Sequence, residues 1–140
     1  MDRVRRELSE SARSVPIVCK VQKDIPDVLI DPEQVSMTVG ALLINAHQAA
    51  RRQLIQVTAR IDPDDNHLIL LASDGGRGMD QHTVTHAFDP FFSARKAGRR
   101  TGMGLARAHR WTRGHGGTLV LRSTPDKGTV AAVTLPLQAA

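Results

Sequence analysis

The chain has 140 residues, with 19 Lys+Arg against 14 Asp+Glu, 41% apolar and 24% charged side chains; this suits one folded globular domain and not a disordered chain. A single cysteine, Cys19, permits no internal disulfide, and no apolar run approaches the roughly 20 residues of a membrane helix. The basic N-terminus lacks the apolar stretch of a secretion signal, so a cytoplasmic address without membrane contact is expected. The net charge of +5 invites a nucleic-acid reading, but aromatics are 3% and Tyr is absent, which argues against base-stacking platforms. The basic residues fall into small groups, most of them expected as solvated faces, so no nucleic-acid partner is expected.

Residues 1–14 are polar, with a thin stripe of Val4, Leu8 and Ala12 at helical spacing. Val15 to Val21 reads as a strand, and Pro16 near its start suggests an edge position. Asp31-Pro32 starts a helix, with Asp31 as N-cap and Pro32 at the first helical position. Val35, Val39, Leu42, Ala46 and Ala49 continue it as one stripe to about Arg52. Ile55, Val57, Ala59 and Ile61 alternate with Gln56, Thr58 and Arg60, which predicts a half-exposed strand. A turn at 62–66 leads into the apolar strand His67 to Ala72. Between Gly75 and Gly104 the periodicity breaks, apart from a short helix around Gln81–Phe88. Leu105 to about Arg113 predicts a helix closed by glycines, and Thr118–Arg122 and Thr129–Leu135 predict two strands joined by a turn. Neighbouring strands that pair exclude a doubly wound parallel sheet. The expected class is α+β: a two-layer sandwich with helices on one face of a mixed, mostly antiparallel sheet.

Three places carry candidate chemistry. Asn45 lies at the edge of the helix stripe, where an amide is either bonded to nearby backbone or offered as an oxygen to a hard cation such as Mg²⁺. Asp74 in Asp74-Gly75-Gly76-Arg77-Gly78 ends a buried strand. It either belongs to a plain turn or accepts from an exocyclic amine, with the glycines letting a flat ring approach. Thr101-Gly102-Met103-Gly104-Leu105 opens a helix, whose free N–H groups suit phosphate. It is neither a P-loop nor a Rossmann fingerprint.

Taken together, these segments resemble the GHKL ATPase superfamily. Leu42-Leu43-Ile44-Asn45-Ala46 resembles its N box, Asp74-x-Gly76-x-Gly78-Met79 its first glycine box, and Thr101-Gly102-Met103-Gly104-Leu105 its second. Gly128-Thr129 before Leu135-Pro136-Leu137 resembles its last one. Phe88-Asp89-Pro90-Phe91-Phe92 resembles the F box of sensor histidine kinases, so the chain is identified as similar to their catalytic ATP-binding domain over roughly residues 15–137.

The resemblance implies ATP and Mg²⁺ as cofactors and a role for each matching residue. Asn45 would hold Mg²⁺, with Gln48 and Ala49 beside it in the ATP pocket. Asp74 would accept from the adenine amine, Gly76, Gly78 and Met79 would shape the pocket wall, and Thr129 would support the adenine end through water. Residues 79–104 would form a lid anchored by Phe91 and Phe92. Thr101, Gly102, Met103, Gly104 and Leu105 would cradle the phosphates, and Arg95 or Lys96 would meet the γ-phosphate as the catalytic basic group. The family's acceptor is a His followed by an acidic residue on a separate helical hairpin, and none of the six His here is followed by Asp or Glu. His47 is expected to face solvent, and the other five to sit at turns or polar faces. Residues 1–14 would then connect residues 15–140 to that dimerisation and phosphoacceptor region, with a response regulator downstream and the isolated domain monomeric. Ala41, Gln48 and Gly75 depart from the common pattern, which keeps a second reading: a degenerate GHKL module that binds partners with little or no nucleotide.

Overall fold

The computed structural model describes residues 16–25, 31–49, 54–64, 66–89 and 104–137. In chain order the elements are β1 (Ile17–Val21), α1 (Pro32–Ala49), β2 (Ile55–Asp62), β3 (His67–Asp74), α2 (Gln81–His86), α3 (Gly104–Gly114), β4 (Thr118–Thr124) and β5 (Gly128–Pro136). The connector expected over residues 1–14 lies outside the described residues.

The five strands form one sheet in the order β1-β2-β3-β5-β4. β1 pairs in parallel with β2, and every other neighbouring pair is antiparallel. The helix α1 between β1 and β2 supplies the crossover that a parallel pair requires. β1 is an edge strand, in keeping with Pro16 just before it. Pro16 has no N–H to donate, but its carbonyl accepts from Ile55 at 3.0 Å.

Strand alternation sorts the sheet into two faces. Leu68 and Ala72 of β3, Leu119 and Leu121 of β4, and Ala131, Val133 and Leu135 of β5 share the core with Leu42 of α1 and Ala108 of α3. A second cluster at the β1–β2 end joins Leu43 and Ala46 of α1 to Ile55. The helices therefore cover one face of a mixed sheet, as expected. Asp31 caps α1, its carboxylate accepting from the Glu33 N–H at 2.9 Å. Among the described residues no helix is long and apolar enough to cross a membrane.

One expectation fails. His47 is buried, at 7% exposure, and does not face solvent. α1 packs against α3 as well as against the sheet, so its covered surface is wider than the single stripe read from the wheel. Leu42, Leu43, Ala46 and Ala49 are buried on the turns around it.

Candidate functional site

The site is built where the C-terminal half of α1 meets the end of β3. Ala41, Asn45 and Ala49 stand one above another at steps of four along α1. At one end of this row, the Ala49 carbonyl accepts from the Arg77 N–H at 3.0 Å, which ties the helix to the loop after β3. At the other end Ala41 faces Gly104: a Cβ on that glycine would lie 3.7 Å from the Ala41 Cβ. Asn45, half-buried, is thus bracketed by the loop after β3 and the first residue of α3.

A polar row crosses the end of the otherwise apolar inner face. Asp74 of β3 is the register partner of Thr129 of β5, and Thr129 is the partner of Ser123 of β4. Asp74 and Thr129 are both buried, at 8% and 4% exposure. The Asp74 carboxylate accepts from the Gly76 N–H at 2.9 Å. Burial holds its proton more tightly than the ordinary 3.8, while backbone hydrogen bonds from Gly76 and Thr129 pull the other way. A carboxylate fixed at a strand end with acceptor capacity to spare is suited to an amine donor.

The glycines in this loop act differently from what the sequence suggests. A Cβ on Gly76 would fall 2.0 Å from the Ala49 carbonyl oxygen, and one on Gly78 would fall 2.0 Å from that of Thr124. Gly78 is also left-handed, with φ of 66°. Their missing side chains make room for protein backbone, from α1 on one side and β4 on the other, and so hold the loop in place beneath Asp74.

Met79 is half-buried against the core, and its N–H donates to the Ser123 hydroxyl at 2.7 Å. Leu105 also packs on the core at the start of α3. Phe88, at the start of the F box, stacks on His109 of α3 with ring centroids 4.3 Å apart. Burial and the nearby Arg113 both disfavour a proton on that imidazole. The side chain of Gln48, and Phe91, Phe92, Arg95, Lys96, Thr101, Gly102 and Met103, lie outside the described residues. Ser123 carries no local signal in the sequence, being one serine in an alternating strand. Among the described residues no three His, Cys, Asp or Glu side chains gather as a metal cluster. A cation here would depend on few protein oxygens, which is how Mg²⁺ is commonly held beside phosphates, and the Asn45 amide fits that part.

Residues 30–139 match the family described as histidine kinase-, DNA gyrase B- and HSP90-like ATPase. The chain is 29% identical over 136 residues to the sensor histidine kinase ZraS of Klebsiella oxytoca, covering 97% of this chain and 28% of that protein. It is 35% identical over 120 residues to the virulence sensor protein BvgS of Bordetella bronchiseptica, covering 81% of this chain and 10% of that one. It therefore spans little more than a quarter, or less, of these relatives. Among solved structures, the mycobacterial sensor histidine kinase MprB superposes with a TM-score of 0.80 at 22% identity, covering 99% of this chain and 94% of that one. Full-length ShkA in complex with AMPPNP gives a TM-score of 0.80 at 20% identity, over 99% of this chain and 30% of that one. The chain belongs to the histidine kinase-, DNA gyrase B- and HSP90-like ATPase family, as an ATP-binding domain of the sensor histidine kinase kind.

Proposed function

We propose that this domain binds Mg-ATP between α1, the end of β3 and the start of α3, and positions the γ-phosphoryl for transfer to a histidine on a separate helical domain. The observation that carries this reading is the buried Asp74 carboxylate in register with Thr129, on the side of the sheet that faces the Asn45 helix. Asp74 accepts from the adenine amine, and Thr129 supports the same edge of the base. The Asn45 amide oxygen holds Mg²⁺, which when bound neutralises phosphate charge. Gly104 and residues 101–103 before it meet the phosphates with backbone N–H groups, and Arg95 or Lys96 meets the γ-phosphate. Catalysis of this kind is positioning and charge stabilisation, with little covalent chemistry asked of the protein.

The acceptor is the dimerisation and phosphoacceptor domain of the same kinase, reached through the chain before residue 15, and a response regulator takes the phosphoryl group next. The domain acts in the cytoplasm, as a monomer when isolated, and contacts neither membrane nor nucleic acid. That full-length ShkA, which contains this fold, was solved in complex with AMPPNP supports a nucleotide as the ligand.

Thermal unfolding tests the reading. A ligand held at about 100 times its Kd stabilises the folded chain by about 2.7 kcal/mol. Saturating Mg-ADP should raise Tm by several degrees, and Mg-GDP by much less. Equal shifts with both nucleotides, or none with either, would refute an adenine site.

A further inference from the structure

We infer that Ser123 is a positioning residue that fixes the Thr129 hydroxyl as an acceptor toward the base and thereby helps select adenine over guanine. The inference rests on the adenine-nucleotide reading above and adds to it a residue outside the motifs that suggested it.

Three polar atoms surround the Ser123 hydroxyl, which has one proton and two lone pairs. Ser123 Oγ lies 3.0 Å from the Gly128 carbonyl oxygen, which can only accept, so the single Ser123 proton goes there. The Met79 N–H donates to Ser123 Oγ at 2.7 Å and uses one lone pair. The remaining contact is Thr129 Oγ1, also at 2.7 Å. With its own proton committed, Ser123 can only accept from Thr129. The Thr129 proton therefore points along the row toward β4, and its lone pairs are what remain for the site.

Asp74, the neighbour of Thr129 on the other side, is also an acceptor there. Two acceptors side by side suit the amine that adenine carries at C6, directly or through water, and disfavour the carbonyl that guanine carries at that position. Without the Ser123 hydroxyl, the Thr129 hydroxyl is free to rotate and donate, and a guanine carbonyl gains a partner. The same hydroxyl holds the Met79 amide, so it also fixes the end of the loop whose Gly76 N–H donates to Asp74.

The test is calorimetric titration of the wild-type chain, Ser123→Ala and Ser123→Thr with ADP and with GDP in Mg²⁺. Ser123→Ala should lose about 3- to 10-fold in ADP affinity, the size of one hydrogen bond, and the ADP-to-GDP preference should narrow by a similar factor. Ser123→Thr keeps the hydroxyl and should restore the preference. A Ser123→Ala chain that weakens both nucleotides by one common factor, leaving the preference intact, overturns the inference and leaves the adenine site standing. A wild-type chain that binds no ADP removes the parent reading and this one with it. Should Ser123→Ala not fold, NMR of the wild-type chain decides. A slowly exchanging Thr129 hydroxyl proton with a cross-peak to the Ser123 β-protons supports the inference, and a fast-exchanging one overturns it.

Discussion

Asp74→Asn separates recognition from folding. The carboxylate offers lone pairs in every direction, and the structure uses them on backbone donors at Gly76 and Thr129. An amide keeps one acceptor, but its nitrogen must then face either a backbone N–H or the incoming amine. In a group buried to 8% exposure, one donor left without a partner costs about 1–3 kcal/mol, or roughly 5- to 150-fold in affinity. The fold should survive, because the exchange also removes the cost of burying a charge. That cost has a definite sign with pH. The folded chain holds the Asp74 proton more tightly than the unfolded chain, whose value is the ordinary 3.8. Ionisation of Asp74 therefore costs no stability below 3.8, and the cost develops as pH rises from there through the raised folded value. Calorimetry with ADP should show the affinity loss in Asp74→Asn. Urea melts from about pH 3 upward should show the variant gaining stability relative to the wild type over that window. Unchanged ADP affinity would refute the role given to the carboxylate, and identical stability profiles would refute the reasoning about its burial.

Gly78→Ala should destabilise the chain by about 2 kcal/mol or more, since the left-handed backbone alone costs about 1–2 kcal/mol and the new methyl meets the Thr124 carbonyl at 2.0 Å. Urea unfolding measures this, and nucleotide affinity should fall with it. Ala41 faces Gly104 one turn from Asn45, and its methyl can neither take a proton from a water nor orient one for attack. Phosphate release from Mg-ATP should therefore stay at the level of an Asn45→Ala blank. Sustained turnover of about one per second, ordinary for an enzyme, would contradict transfer to histidine as the reaction.

Much of this fold is legible in the sequence because local signals agree with the tertiary result. Asp31-Pro32 and the stripe from Val35 to Ala49 mark α1, the alternation from Ile55 to Ile61 marks β2, and the turn at 125–127 joins β4 to β5. Sheet order is not local. Nothing in the residues of β5 says that it lies between β3 and β4, a placement decided by which strand brings Val133 and Leu135 into the core. His47 shows the same limit, since its burial depends on elements far from it in sequence. At the site, Asn45 and Asp74 stand out because polar residues beside apolar stripes demand a reason. Gly76 and Gly78 stand out as well, although what approaches them is protein backbone from Ala49 and Thr124. Ser123 becomes visible only when strand register sets it beside Thr129.

Backbone amide NMR shifts on titration with Mg-ADP map the nucleotide onto the chain. A nucleotide held between α1, the end of β3 and the start of α3 should give saturable perturbations gathered at Asn45, Asp74 to Met79, Gly104 and Thr129, with β1 and the outward-facing Val120 and Arg122 unmoved. Perturbations centred on those outer residues or on β1, or none at millimolar Mg-ADP, would contradict that placement.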